Sequence, residues 1–344
     1  MRSDLSVPTM KDVARLAGVS AQTVSIVVNK KPGISKATRA RVLQAIDELQ
    51  YRPRFVARSL RTRTTHTLAF LVPDIANPSL AAMTSAAEKY AHSFGYNLVV
   101  YNSLGDVDRE SAYVQMAVDR WVDGVLCVSV GNELISLNTL EKAGIPAVVI
   151  DRIPEKYTKP SVIFDNVKAG SIAAEHLLNL GHTCIAHISG PTHLRLARER
   201  MEGFRQAIVE RGLQPGVCVT AEGNWECETG YRAMQKVVTC DPLPTAIFAA
   251  NDRMAIGAMR ALYEAGLRVP QDVSVVGLDD IEVAAYQVPP LTTIEQPFAR
   301  MATLGVQLLL SLLAGDVLAE PRIVLEPTLI VRQSTAPPRG EADG

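Results

Sequence analysis

The chain lacks what would mark it as a secreted, membrane-spanning or motif-defined catalytic protein. It has only five cysteines (Cys127, Cys184, Cys218, Cys227, Cys240), an odd number, widely scattered and without a Cys-x-x-Cys pair. That excludes a disulfide framework and the usual zinc spacing, and implies reduced thiols. No run approaches the ~18 consecutive apolar residues of a membrane span. The opening MRSDLSVPTMKDVARLAG contains no apolar stretch of signal-peptide length, so a soluble cytoplasmic protein without a membrane partner is expected. Aromatic residues make up only 5%. A G-x-S-x-G elbow, a G-x-G-x-x-G after an apolar run, a phosphate loop and His/Cys metal spacing are all missing, so neither enzymatic activity, nor a metal, nor a cofactor is expected.

At 344 residues and 47% hydrophobic content, the chain is too long for one compact core, and two or three domains are expected. A net charge of −1 hides an asymmetry. Residues 1–66 hold 13 Lys/Arg against 4 Asp/Glu, a net +9, and the remainder holds 22 against 32, a net −10. A basic head on an acidic body is the footprint of a polyanion-binding module joined to something else.

The first fifty residues read as three short helices. Thr9 can cap one over Met10 to Ala17, ended by Gly18. Ser20 can cap a second, Ala21 to Asn29, and Ser35 a third, from Lys36 to about Leu49, with Ala40, Val42, Leu43, Ile46 and Leu49 as core positions. At 100° per residue, Val24, Val27 and Val28 share the inner face of the second helix, while Gln22, Ser25, Ile26 and Asn29 point outward. An outward isoleucine among short hydrogen-bonding side chains suits a surface that is both polar and apolar, such as the floor of a DNA major groove.

From His66 the pattern changes. The runs TLAFLVP, NLVVYN, GVLCVSV, AVVID, CIAHISG, TAIFAAND and VSVVGLDD alternate with helix-length amphipathic segments. Continuous apolar strands separated by helices indicate parallel α/β sheets. About 270 residues of this pattern suit two doubly wound halves with a ligand between them. The tail STAPPRGEADG is polar and rich in Pro and Gly, and disorder is expected there.

The segment DVARLAGVSAQTVSIVVN, continued by ISKATRARVLQAIDELQYRP, resembles the helix-turn-helix head of the lactose-repressor (galactose-repressor) family of transcription regulators. The resemblance implies that Ala21, Gln22 and Ile26 face base edges. Gln22 can bond bidentately to adenine, while Ile26 stands where many members carry arginine and can pack only on a thymine methyl. Thr9, Ser20, Thr23, Ser25, Asn29, Ser35 and Thr38 sit at helix starts or on the outer face, suited to phosphate oxygens. RPRFVARSLRTR matches the family's hinge helix in the minor groove. There Val56, Ala57 and Leu60 would form the apolar edge, Arg54, Arg58 and Arg61 would face phosphates, and Leu60 would be the wedge that kinks the duplex.

Body segments match as well: FDNVKAGSIAAEHLLNLGHTCIAHISGP, PTAIFAANDRMAIGAMRALYEAGLRVP, DVSVVGLDD and PPLTTIEQP. The likeness covers about residues 8–335 and implies a helix-turn-helix domain (8–52), a hinge and linker (53–65) and a periplasmic-binding-protein-like core (66–335). The core's N-subdomain would be about 66–163 with 294–322, its C-subdomain about 164–293 with 323–335, and the tail 336–344. By matching, Asn77, Ser79, Asp151, Phe164, Asp165, Arg200, Trp225, Asn251, Asp279 and Gln296 fall in the cleft. Arg200 and Asp279 would bracket vicinal hydroxyls and Trp225 would stack on a sugar ring, so a saccharide effector is expected, with a purine as the alternative. Asp252 is read as a helix cap, and His182 and His187 as structural. Ala255, Ala258, Ala261 and Leu262 are placed by the resemblance near a dimer interface. No leucine heptad segment is seen before Gly344, so a homodimer on a palindromic operator is expected. The whole reads as a ligand-responsive, nucleoid-associated repressor of carbohydrate-utilisation genes.

Overall fold

The computed structural model describes residues 8–29, 31–51, 64–120, 122–213 and 220–339, and the chain divides into two compact units, 1–65 and 66–344.

In the first unit three helices form: α1 (Met10–Ala17), α2 (Ala21–Val28) and α3 (Lys36–Glu48). Ser20 Oγ accepts the Thr23 amide and Ser35 Oγ the Thr38 amide, each at 3.2 Å, satisfying donors that a helix start leaves orphaned. Gly18 at φ 62° lets α1 end sharply. Val13, Ala14, Ala17, Val24, Val27, Val42, Ala45 and Tyr51 make the core.

Leu43 and Ala40, expected in the core, are both exposed, Leu43 at 51%. The buried stripe of α3 instead runs through Val42, Ala45, Ile46 and Leu49 at i, i+3, i+4 and i+7, which turns Ala40 and Leu43 away. Ser25, read as outward, is buried, and the Asn29 side-chain amide donates to its carbonyl at 2.6 Å and reaches its Oγ at 3.3 Å. The hinge residues Arg54, Val56, Ala57, Arg58, Leu60 and Arg61 lie outside the described residues.

The second unit contains two six-stranded sheets. The first lobe has β1 (Thr67–Val72), β2 (Asn97–Asn102), β3 (Gly124–Cys127), β4 (Ala147–Ile150), β5 (Ser161–Phe164) and β11 (Arg322–Leu325), ordered β11-β5-β4-β3-β1-β2 and all parallel. The second has β6 (Ile185–Ser189), β7 (Thr220–Glu222), β8 (Ala246–Ala249), β9 (Ser274–Asp279), β10 (Thr292–Glu295) and β12 (Thr328–Ile330), ordered β12-β10-β9-β8-β6-β7, with only β12 antiparallel. Helices α4 (Pro78–Ser93), α5 (Val107–Asp119), α6 (Ile135–Lys142) and α11 (Phe298–Ala314) serve the first lobe. Helices α7 (Asn166–Asn179), α8 (Arg195–Glu210), α9 (Cys227–Val237) and α10 (Asp252–Glu264) serve the second. The chain passes between lobes after β5, after β10 and after β11. The last crossing therefore falls at 326–327 rather than after residue 322, because Arg322–Leu325 pairs with β5. Central strands such as β3 and β8 are buried throughout, which is why they read as unbroken apolar runs, whereas the edge strand β2 alternates.

Helices α7 and α8 touch backbone to backbone. A Cβ on Gly203 would lie 1.8 Å from the Val167 carbonyl oxygen, and one on Gly170 2.0 Å from that of Arg200. Ala255, Ala258, Ala261 and Leu262, read as interface residues, are buried in the second lobe's own core. The opposite side of α10 is the one that faces out, with Tyr263 73% exposed. The tail reading is also revised. His182 Nε2 contacts the Ala336 carbonyl at 2.9 Å, Ser274 Oγ accepts the Ala336 amide at 3.0 Å, and Arg339 pairs with Asp272 at 2.9 Å, so 336–339 lies against the second lobe.

Candidate functional site

On the head, Thr9, Ser20, Ala21, Gln22 and Ser35 are exposed, while Thr23, Ile26, Asn29 and Thr38 are half-buried. Gln22 makes no hydrogen bond among the described residues, so both edges of its amide are available. The Thr9 hydroxyl donates to Asp12 at 2.6 Å, and the Ser35 hydroxyl to Thr38 Oγ1 at 2.9 Å. Ile26 is thus partly shielded by its own domain and still presents an apolar edge beside Gln22, one turn away.

In the core, chain ends after β1, β4, β7, β8, β9 and β10 meet between the lobes, where open α/β sheets place ligand contacts. Asn77, Ser79, Asp151, Arg200, Trp225, Asn251, Asp279 and Gln296 line one cavity together with Leu80, Arg152, Leu196 and Phe298. Phe164 and Asp165 line an adjoining cavity that shares Asp151, Arg152 and Leu196 with the first. Asp165 also caps α7 through the Lys168 amide at 2.9 Å.

The polar groups of the first cavity are bonded mainly to each other. Arg200 donates from Nε to Asn166 Oδ1 (2.9 Å), from Nη1 to the Ala250 carbonyl (2.6 Å) and from Nη2 to Gln296 Oε1 (2.9 Å). Gln296 in turn donates to Asp151 Oδ1 at 2.6 Å. Across the lobes, the Ser79 hydroxyl donates to Asp279 Oδ2 at 3.2 Å and Asn132 to the His193 carbonyl at 2.9 Å, while Arg253 lies 3.6 Å from Asp74. The cavity within this network measures about 30 Å³ and its neighbour about 170 Å³. Neither reaches the ~300 Å³ at which small-molecule sites begin. Asp151 (φ 64°), Trp225 (φ 77°) and Asp279 (φ 122°) all hold left-handed backbone, a cost that surrounding structure sustains at binding sites.

Asn251 caps α10, its Oδ1 accepting the Met254 amide at 2.9 Å and its Nδ2 donating to the Trp225 carbonyl at 3.1 Å. It therefore fixes the Trp225 loop. Asp252, read as the cap, is instead fully buried and latches β9 to β10, accepting from Thr293 Oγ1 (2.5 Å) and the Ile281 amide (2.9 Å). Burial raises its pKa well above the usual carboxylate range. His187 stacks between Phe204 and Phe248, and burial pushes its pKa down to about 4.

Burial also pushes the Asp279 carboxyl up to about 7, with Arg200 drawing it down and Asp151 raising it. Its folded value lies above the unfolded one, so the folded state keeps a proton that the unfolded chain releases. The stability this contributes is complete below about pH 4 and is lost as pH rises through 7. Asp279→Asn keeps an acceptor for Ser79 and removes the titration. Its stability is expected to exceed the wild type's by more at pH 8 than at pH 5, the two differences being separated by on the order of 3 kcal/mol. Equal effects at both pH values would contradict this.

Sequence reasoning missed Arg152, Asn166, Leu196 and Phe298. Arg152 directly follows the candidate Asp151, but nothing in local periodicity tells a cleft arginine from a surface one.

Residues 9–54 match the family described as bacterial regulatory proteins, lacI family, and residues 174–335 the periplasmic binding protein-like domain. The HTH-type transcriptional repressor PurR of Aliivibrio salmonicida is 38% identical over 330 residues, 95% of this chain and 98% of the relative. The lac repressor dimer bound to operator and the anti-inducer ONPF superposes with a TM-score of 0.86 at 32% identity, covering 96% of this chain and 99% of that one. The transcriptional regulator CelR in complex with cellobiose gives 0.74 at 33% identity, covering 95% and 99%.

Proposed function

The chain belongs to the lacI family of bacterial regulatory proteins and is a DNA-binding transcriptional repressor, and on that premise we propose that a metabolite seated between the lobes sets the affinity of a homodimer for a two-fold operator. The observation that carries this is the cross-lobe network. Ser79–Asp279, Asn132–His193 and Arg253–Asp74 join opposite walls of the cleft, so a ligand that replaces these bonds changes how the lobes sit. A shift in lobe position is transmitted to DNA only through differential affinity for the two arrangements.

For the effector, the name PurR carried by the curated relatives favours a purine-type metabolite over the saccharide expected from sequence. A planar base would use the Trp225 indole as a stacking plate and Asp279, which changes protonation near neutrality, as partner for a ring nitrogen. The saccharide remains a second reading on one observation: Asp151, Arg200, Asp279 and Trp225 line one cavity, and a relative of known structure holds cellobiose. Thermal stability of the full-length protein against purine bases, nucleosides and nucleotides, and against sugars with their phosphates and acids, separates the two. At ~100-fold its Kd a ligand adds about 2.7 kcal/mol. A shift with purines alone supports the first reading, and a shift with sugars alone overturns it.

On the head we assign base contact to Ala21, Gln22 and Ile26, backbone contact to the exposed caps Thr9, Ser20 and Ser35, and the minor-groove role to Leu60 and its hinge neighbours. Ile26→Arg should move half-site preference toward guanine at one position, by about 1–3 kcal/mol of discrimination, read by competition between variant duplexes. An unaltered preference would mean that Ile26 reads no base.

A further inference from the structure

Arg152 stands apart from every other charged group in the cleft. It follows β4 in the first lobe and lines both cavities. Arg200 spends its donors on three oxygens, whereas the Arg152 guanidinium makes no hydrogen bond or ion pair among the described residues, and its Nε is buried without a partner. The acids around it are engaged elsewhere: Asp151 by Gln296, Asp279 by Ser79, and Asp74 with Arg253. Arg152 lies against the Trp225 ring of the opposite lobe, with Cζ 5.9 Å from the ring centroid, and Arg200 lies 5.6 Å from the same ring. Trp225 Nε1 is likewise buried with no acceptor. Burial depresses the Arg152 pKa, the carboxylate of Asp151 raises it and Arg200 lowers it further.

Burying part of an arginine without a hydrogen-bonded counter-charge is costly, and here the Nε is buried with no acceptor while the rest of the guanidinium makes no hydrogen bond or ion pair among the described residues. The planar fork of a guanidinium matches a carboxylate or phosphate through two parallel bonds. We infer that the effector carries an anionic group, a carboxylate or a phosphate, which seats on Arg152 and draws it to the Trp225 wall, bridging the two lobes. This rests on the reading of the cleft as the effector site and narrows it. The metabolite is an acidic one, such as a nucleotide, a sugar phosphate or a sugar acid, rather than a free base or a neutral sugar. Arg152 thus binds the ligand's charge, while Arg200 chiefly holds the cleft together.

The test uses full-length protein and matched probes: guanosine against guanosine monophosphate, glucose against glucose 6-phosphate and gluconate. Binding is read by calorimetry and by shift in melting temperature. Within the pair that binds, the anionic member should be at least about tenfold tighter, as one charge-assisted hydrogen bond suffices to give. Phosphate and carboxylate sources are distinguished by which sugar derivative responds. In Arg152→Met the preference should fall to near unity, and in Arg152→Lys, which keeps the charge without the fork, to an intermediate value. Without ligand, Arg152→Met should melt no lower than wild type, because it removes a partly buried charge with no hydrogen-bonded partner among the described residues. A lower melting temperature would make Arg152 a structural group and overturn the inference. So would a bound neutral member with no preference for its anionic partner, or a preference that survives in Arg152→Met. Silence from every probe, neutral and anionic, would instead overturn the effector-cleft reading beneath it.

Discussion

Gly203→Val is expected to lower the melting temperature by roughly 6–12 °C. The substituted Cβ would meet the Val167 carbonyl oxygen at 1.8 Å, far inside van der Waals contact, and a backbone carbonyl cannot swing aside as a flexible side chain can. Overpacking of that kind costs typically 1–3 kcal/mol and more where nothing can yield, so about 3 kcal/mol is a reasonable floor, converted at about 2–4 °C per kcal/mol. The consequence extends to the cleft. Arg200 projects from α8 one turn before Gly203, and the Arg200 carbonyl is the atom nearest a Cβ on Gly170, so parting the helices also moves the guanidinium. Val209 on the same helix is 52% exposed, and Val209→Ala should stay within about 0.5 kcal/mol of wild type. Equal melting of the two variants would mean that α7 and α8 do not touch along this line.

Arg200→Met should abolish the response to effector and destabilise the protein as well. Methionine fills most of the volume but leaves Asn166 Oδ1, the Ala250 carbonyl and Gln296 Oε1 without their donor. A buried acceptor left unsatisfied costs about 1–3 kcal/mol, and removing a buried charge returns part of that, so a net loss of about 2 kcal/mol is expected. Gln296 would also lose its anchor and with it the bond to Asp151. A separation in sign follows among three cleft residues. Arg200→Met lowers the melting temperature, Asp279→Asn raises it at pH 8, and Arg152→Met does not lower it. A cleft in which all three groups were merely structural would lose stability in every case.

Much of the architecture was legible because parallel strands buried on both faces leave an unmistakable trace. GVLC and AIFA are apolar at every position, since no side of them meets water. The later strands were not flagged. Thr328–Ile330 is three residues long and Arg322–Leu325 lies at a sheet edge with two exposed positions, so neither carries a pattern that periodicity can detect. The final crossing between lobes was accordingly misplaced by a few residues. In the head, cap residues announced the helix starts, since an orphaned amide needs an acceptor and serine supplies one. The faces are harder to read, because eight residues make little more than two turns, and periodicity does not carry the bonds from Asn29 that Ser25 receives.

The cleft was legible by position and not by role. Asp151, Trp225, Asn251 and Asp279 lie at strand ends or in the loops that follow, where doubly wound sheets put ligand contacts. Whether a group is spent or free depends on its neighbours in space. Asn251 bonds the Met254 amide and the Trp225 carbonyl, Asp252 is buried in the lobe, and Arg152, adjacent in sequence to a candidate, makes no hydrogen bond or ion pair among the described residues. The alanines of α10 failed as interface candidates for a related reason. Small residues at helical spacing admit a close neighbour, and here the neighbour is α9 of the same lobe.

The measurement that tests the central claim most directly is selection of bound sequences from a random duplex pool by the full-length protein, with the affinity of the winning sequence then measured with and without the responding metabolite. A gated repressor predicts enrichment of a two-fold symmetric site, affinity that falls steeply with salt as phosphate contacts require, and a change of at least about fivefold when metabolite is added, the lower end of allosteric coupling. Enrichment of no sequence, or a symmetric site whose affinity is indifferent to every metabolite that stabilises the protein, would contradict it.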